Sequence, residues 1–374
     1  MSDATAGSVR VVNAPLFIAT IGGIAALIVM FLSLDLFLAH IDQRESMSRA
    51  AAEYTSGVAL LREGRAADAR DHFQIAVSIE RSNIDYSLAL AEALLEEGRV
   101  TDAESTLQSL LQRAENDGAV NLTMARAMVR QGRAEEAKAY FHRAIFGRWG
   151  ADSVPRRYEA RFELIDFLAA QGASRELLAE LLPMEDVPSD SLSLRRKLGG
   201  LFILAGSPAR AANMFREVIR NDPDDGQAYA GMGRAELALG NFRTARADLA
   251  EAVRRLPDDS AVARRFALAD TVLSLDPTAR GIGSRARLDR SRALLLRVAS
   301  RVESCGGPRA AVVDSAIALL ARTSARSRRG PVDFDAEAEP ILAAAADTWA
   351  GRPRGCASAA SDEVLPLLIT RITQ

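Results

Sequence analysis

Glycines fall on a fixed register along this chain. Gly64, Gly98 and Gly132 stand 34 residues apart, and so do Gly172, Gly206 and Gly240. The two trios are offset by 40, so six residues are inserted between them, around Gly147–Pro155. The neighbours keep the same register. Five residues after each glycine come Ala69, Ala103, Ala137, Leu177, Ala211 and Ala245. Four further on come Phe73, Leu107, Phe141, Leu181, Phe215 and Leu249, and three beyond those Ala76, Leu110, Ala144, Met184, Val218 and Ala252. Seven before each glycine stand Gly57, Ala91, Ala125, Ile165, Gly199 and Gly233, and Pro223 and Pro257 close the last two units. A period of this length predicts stacked helix pairs, each unable to bury its apolar face alone. The mid-unit glycine ends the first helix in a left-handed conformation. The small residues mark where helices approach closely, and the Phe or Leu fills the space between one pair and the next.

The segment Tyr229, Met232, Gly233, Gly240, Phe242, Ala245, Ala252 and Pro257 carries the pattern most fully. It resembles the tetratricopeptide repeat family, and the resemblance covers roughly residues 50–260. The fourth unit is degenerate, with Leu177 and Met184 where alanines are expected. The resemblance implies an all-α fold: a right-handed solenoid of about six helix pairs over 50–276. A last helix at Ala261–Leu275, charged at Arg264, Arg265 and Asp270, would cap its end. Residues 277–374 leave the register but still read as helices, at Ser284–Ser304, Pro308–Leu320, Asp335–Trp349 and Glu363–Ile372, forming a small subdomain. An arginine-rich loop, Arg322–Arg329, separates two of them; it is either a solvated loop or a patch for anionic lipid or nucleic acid.

Val11 to Leu34 contains no charged residue, and about 20 apolar residues span a bilayer core. The run exceeds a cleaved leader's apolar stretch of ~7–15 residues, and no small-residue cleavage site follows. It therefore predicts a single transmembrane anchor at 11–38, after a cytoplasmic tail at 1–10 and before a linker at 39–49. Ala19/Gly23 and Gly22/Ala26 could pack a second helix, or be small residues of the sort common in spanning helices. Arg10 with the α-amino group on one side and Arg44 with Arg49 on the other leave the positive-inside count tied. A short N-terminal tail that stays inside places the solenoid outside.

The net charge is −2, spread as a mildly acidic solenoid and a mildly basic tail, which excludes a dedicated nucleic-acid module. The three histidines, His40, His72 and His142, have no partner at a meaningful spacing. No phosphate loop, nucleophile elbow or H-E-x-x-H occurs, so no enzyme and no cofactor are expected. Cys305 and Cys356, the only two cysteines, either close a disulfide or stay free thiols, and two cysteines without nearby histidine do not make a metal site.

The family resemblance implies a groove lined by the first helix of each unit, which usually holds a peptide or a partner helix. Carried over by position, the lining residues are Glu92, Glu96, Arg126, Arg130, Asp166, Arg196, Lys197 and Arg234. A clamp for a C-terminal carboxylate is not expected, because Tyr54 and Val58 stand where relatives carry Lys and Asn. Each charge taken singly reads equally as a solvated side chain. Together they suggest a groove acidic at one end and basic towards its middle, taking acidic side chains near Arg126, Arg130 and Lys197. The resulting expectation is a membrane-anchored scaffold for protein partners in a bacterial envelope assembly, facing the periplasm. A recruiting adaptor on the cytoplasmic face is the first rival, and an enzyme hidden in the tail the second.

Overall fold

The computed structural model describes residues 14–186, 191–305, 311–326, 333–353, 356 and 364–373. Among them there are 17 α-helices and no strand. The chain divides into two compact units, residues 1–164 and 165–374.

The first unit is built from α1 (Ala14–Arg62), α2 (Ala66–Ile79), α3 (Ile84–Glu96), α4 (Val100–Leu111), α5 (Gly118–Arg130), α6 (Ala134–Phe146) and the greater part of α7 (Ser153–Gln171). Its helix turns follow one scheme. Gly64, Gly98 and Gly132 sit at φ of 76°, 82° and 73°. In the first turn, Arg65 N–H donates to the Leu60 carbonyl and Gly64 N–H to that of Leu61, at 3.0 Å each. Two carbonyls orphaned by the end of α1 are thereby satisfied, and only a residue without Cβ adopts this conformation cheaply. The other end of each unit is held by an N-cap. Asn83 accepts from the N–H groups of Asp85 and Tyr86, and Asp117 from that of Val120 at 3.0 Å. Each cap satisfies donors that the helix start leaves open.

The register fixes the core. Ala69, Phe73 and Ala76 are fully buried, as are Ala103, Leu107 and Leu110. Burying a side chain the size of Phe or Leu contributes roughly 1.5–3 kcal/mol, and the small residue seven before the glycine lets it in. A Cβ on Gly57 would lie 2.6 Å from the Phe73 ring.

One expectation is corrected in this unit. The linker read at 39–49 is helical: α1 continues through it into the first repeat, because no Gly or Pro between Ala39 and Arg49 interrupts it. The inserted residues before α7 are tied to the repeat before them. Arg148 N–H donates to the Asn116 carbonyl at 2.7 Å, Gly118 N–H donates to the Arg148 carbonyl at 2.8 Å, and the Trp149 indole N–H donates to the Ala144 carbonyl at 2.8 Å. The indole lies over Gly118, where a Cβ would come within 2.2 Å of it.

The anchor read at 11–38 falls largely outside the described residues: 11–13 are not described, nor are the side chains of 14–22, 24–26 and 28. Among the described residues no helix is long and apolar enough to cross a membrane.

The second unit holds the end of α7, then α8 (Ser174–Leu181), α9 (Leu192–Leu204), α10 (Pro208–Asn221), α11 (Gly226–Ala238), α12 (Phe242–Arg255), α13 (Ser260–Leu275), α14 (Ser284–Ser304), α15 (Ala311–Arg326), α16 (Phe334–Ala350) and α17 (Val364–Thr373). Gly172, Gly206 and Gly240 repeat the left-handed turn at φ of 67°, 71° and 75°. Ser191, Asp225 and Asp259 cap α9, α11 and α13 through their side chains. The degenerate repeat keeps its register with larger groups, since Ile165, Leu177, Leu181 and Met184 are all buried.

The helix expected to cap the solenoid does not end it. Ala269 and Val272 of α13 belong to one core with Leu249 of α12, Leu294, Leu295 and Val298 of α14, Ile341 and Ala345 of α16, and Leu365 and Leu368 of α17. The boundary drawn at 276/277 is therefore no break in packing: the tail covers the last repeat with apolar side chains. Arg287 of α14 reaches Glu339 of α16 at 2.6 Å, and Ser284 reaches Asp335 at 2.6 Å. The arginine-rich loop is corrected in part, because Arg322 and Arg326 lie within α15, while Arg328 and Arg329 lie outside the described residues. Cys305, at the end of α14, is joined by a disulfide to Cys356, with Cα atoms 5.3 Å apart.

Between α11 and α12, Asp248 meets Glu236, a side chain only 6 % exposed. The Asp248 Oδ2 atom is buried and has no hydrogen-bond partner. Burial, with repulsion from Glu236, pushes the Asp248 carboxyl up to about 6 against the pull of Arg216. The folded protein thus holds a proton there that the unfolded chain, with its carboxyl near 3.8, has already released. Ionisation destabilises this unit as pH rises from about 4 through about 6. Asp248→Asn is therefore expected to raise the urea midpoint at pH 8 and to leave it nearly unchanged at pH 4. An equal shift at both pH values would mean that the carboxylate charge is not what costs stability.

Candidate functional site

The first helices of the repeats leave polar faces open to solvent, and each unit forms a cleft there. In the first unit a cleft of about 360 Å³ is lined by Tyr54 of α1, by Asp85, Leu88 and Glu92 of α3, and by Arg148, Trp149 and Arg156. Tyr54 leans on Phe73 and Tyr86, with ring centroids 5.8 and 5.1 Å away. Burial pushes the Glu92 carboxyl above the usual carboxylate range, although Arg126 and Arg156 pull the other way.

The bases expected to receive a ligand in this unit are engaged within the chain. Arg126 makes a two-pronged contact with Glu163 of α7, at 2.9 and 2.5 Å. Planar double contacts of this kind are among the stronger charge-assisted bonds. Arg130 reaches Glu96 at 2.6 Å and also donates to the Leu95 carbonyl. Glu96 and Arg130 hold equivalent places in successive repeats, so this pair ties one repeat to the next. On the same unit, Arg133 bridges Glu104 at 2.8 Å and Glu136, in the first turn of the helix it precedes.

In the second unit a cleft of about 400 Å³ is lined by Arg196, Lys197, Gln227, Gly231, Arg234 and Arg265, among others. Lys197 contacts Asp166 at 2.9 Å and Arg196 pairs with Asp225. Arg234 faces Arg265. Burial and that neighbouring guanidinium push Arg234 below the usual arginine range.

The eight residues named from sequence therefore fall into two groups. Arg126, Arg130, Glu96, Asp166, Arg196 and Lys197 are joined to carboxylates or bases of the chain itself. Glu92 and Arg234 are in no ion pair among the described residues; they line the clefts, the second of which Arg196 and Lys197 also line. Sequence reasoning missed Glu163, Asp225 and Arg265. Asp225 was within reach, since Ser191, Asp225 and Asp259 recur at the repeat spacing as N-caps. Arg265 was read as an outer charge of the end cap, and it lines the cleft because α13 is itself the first helix of a covered pair. Among the described residues no group of His, Cys, Asp or Glu could hold a metal ion.

This is the architecture of a helix-pair repeat protein whose open faces lie on the first helices. Sequence models of the tetratricopeptide repeat match residues 60–121, 96–146 and 202–265, and a second such model matches 122–176. Residues 60–176 and 202–265 are thus tetratricopeptide repeats. No curated protein matches the chain. Solved structures with a similar fold include the C-terminal part of a TPR repeat-containing protein from Cytophaga hutchinsonii, 11% identical, with a TM-score of 0.47 over 65% of this chain and 94% of that one. YrrB, described as a TPR protein with an unusual peptide-binding site, is 18% identical with a TM-score of 0.42, over 51% of this chain and 96% of its own. The TPR2AB domain of yeast Sti1 in a complex with HSP90 is 18% identical with a TM-score of 0.33, over 78% of this chain and 99% of its own.

Proposed function

We propose that this chain is a membrane-anchored scaffold that holds protein or peptide partners in the clefts of its repeats, as part of a bacterial envelope assembly. One observation carries the reading. The apolar side chains at the register positions of the repeats are buried between helices, while the first helices keep two solvent-open clefts whose walls are largely charged and polar. Such surfaces suit binding through side-chain complementarity. The anchor rests on the uncharged run from Val11 to Leu34, and on the exposure of Leu27, Val29, Met30, Phe31, Leu36 and Phe37, which no described part of the chain covers. The Cys305–Cys356 disulfide favours an oxidising compartment, which supports a periplasmic location for the repeats.

Photo-crosslinking residues placed at Glu92 and Gln227, inside the clefts, and at Arg220, on the exposed face of α10, test the scaffold role in intact cells. Discrete crosslinked partners are expected from the two clefts and not from position 220. Crosslinks from position 220 alone would remove the cleft reading. Deleting residues 1–38 is expected to release the protein from the membrane fraction. If both cysteines label with a bulky maleimide without reductant in permeabilised cells, the cytoplasmic-face adaptor replaces the periplasmic scaffold.

A further inference from the structure

The two units differ in how a base at one register position of their first helices is compensated. In the repeat register, Arg126 of the first unit and Arg234 of the second stand at the same place, six residues before the turn glycine. Arg126 is taken by Glu163. Arg234 has no hydrogen bond and no ion pair among the described residues, and neither has Arg265 opposite it, on α13. The only carboxylate among the described residues lining this cleft is Asp259. It is committed to the start of α13, where the N–H groups of Ala261 and Val262 donate to it at 2.9 and 3.1 Å. Those bonds, with smaller contributions from the Gln227 side chain and the charge of Arg265, hold its carboxyl below the usual range. Two partly buried guanidiniums thus face each other with no carboxylate in hydrogen-bond or ion-pair contact with either, Asp259 acting on Arg265 only from farther off, an arrangement that costs free energy until an opposite charge enters. The rest of the wall leaves room for one: Gly200, Ala230 and Gly231 present nothing larger than a methyl group. The aromatic ring on the lining, Phe215, is 2 % exposed, so it offers no platform on which a base could stack.

We infer that the second unit's cleft holds an acidic segment of a partner protein, with aspartate or glutamate side chains lying against Arg234 and Arg265. The inference rests on the scaffold reading and gives its second cleft a ligand chemistry. The first unit's cleft, where Asp85, Glu92 and Asp117 stand on the wall beside Arg148 and Arg156, takes no part in this recognition.

Fluorescence anisotropy with the full chain in detergent tests it. The probes are a short labelled peptide of alternating glutamate and serine, its glutamine–serine counterpart, and a labelled oligothymidine. The glutamate peptide is expected to bind and the glutamine peptide not. The pair Arg234→Gln and Arg265→Gln should weaken binding at least about tenfold, the loss of charge-assisted hydrogen bonds. Arg220→Gln, which removes the same charge from an exposed helix face, should leave it unchanged. Removing two facing like charges should not lower the urea midpoint, so lost binding cannot be put down to unfolding. Equal binding of the two peptides, unchanged binding by the double variant, or tighter binding of the oligothymidine overturns the inference. If crosslinking from Gln227 persists in the double variant, the scaffold role stands and only the acidic ligand falls.

Discussion

Phe215→Ala is expected to lower the stability of the second unit by about 3–5 kcal/mol, the range for deleting a buried aromatic ring. The ring is 2 % exposed and sits between two glycines on neighbouring helices. A Cβ on Gly199 of α9 would lie 2.8 Å from it, and one on Gly231 of α11 2.3 Å. The same geometry predicts a reversal of sign. In the native background Gly231→Ala gains roughly 0.5–1 kcal/mol of helix propensity, but the methyl must displace the ring, at a cost of about 1–3 kcal/mol. The net result is a loss. Once Phe215→Ala has emptied the space, the methyl enters it, and Gly231→Ala becomes neutral or stabilising. The two positions should therefore couple strongly in a double-mutant cycle. The chain's two tryptophans make the measurement clean, because Trp149 lies in the first unit and Trp349 is buried in the core of the second. In a Trp149→Phe background, Trp349 fluorescence in urea reports the second unit alone. If Gly231→Ala costs as much in the Phe215→Ala background as in the native one, close approach to the ring is not the reason for glycine there.

That pairing of small and large residues was legible in the sequence because it is set by local geometry that repeats. Gly57 with Phe73, Gly199 with Phe215 and Gly233 with Leu249 are each sixteen residues apart, and each pair meets in the structure. The left-handed glycines were legible for the same reason, since one backbone conformation is demanded at one place in every unit. What the sequence did not disclose depends on which neighbour a charged side chain finds. Arg126 and Arg234 occupy the same register position and read alike. Only the presence of Glu163 beside the first, and of Arg265 beside the second, separates a structural tie from an open base. Nor does register reveal that a helix carrying Arg264, Arg265 and Asp270 is itself covered. Its buried positions, Ala269 and Val272, find partners in α14 and α17, which obey no repeat.

The irregular tail is also where the second large effect is expected. The disulfide joins residues 51 apart, and a loop of that size restricts the unfolded chain enough to contribute roughly 4 kcal/mol in the chain-entropy account. Cys305 lies at the end of α14 and Cys356 precedes α17, so the bond fixes α17 near the core that its Leu365 and Leu368 enter. The Cys305→Ser, Cys356→Ser double variant, or the native chain under reductant, should lose about 2–4 kcal/mol. The loss should be confined to the second unit: the transition followed by Trp349 moves to lower urea, while that followed by Trp149 stays where it was. Weakening this core also loosens α13, whose Ala269 and Val272 pack into it, and with α13 goes Arg265 on the cleft wall. Reduction should therefore weaken capture of the glutamate peptide at urea concentrations too low to unfold either unit. Superimposable Trp349 transitions for the oxidised and reduced chains would show that apolar packing alone holds α17 in place.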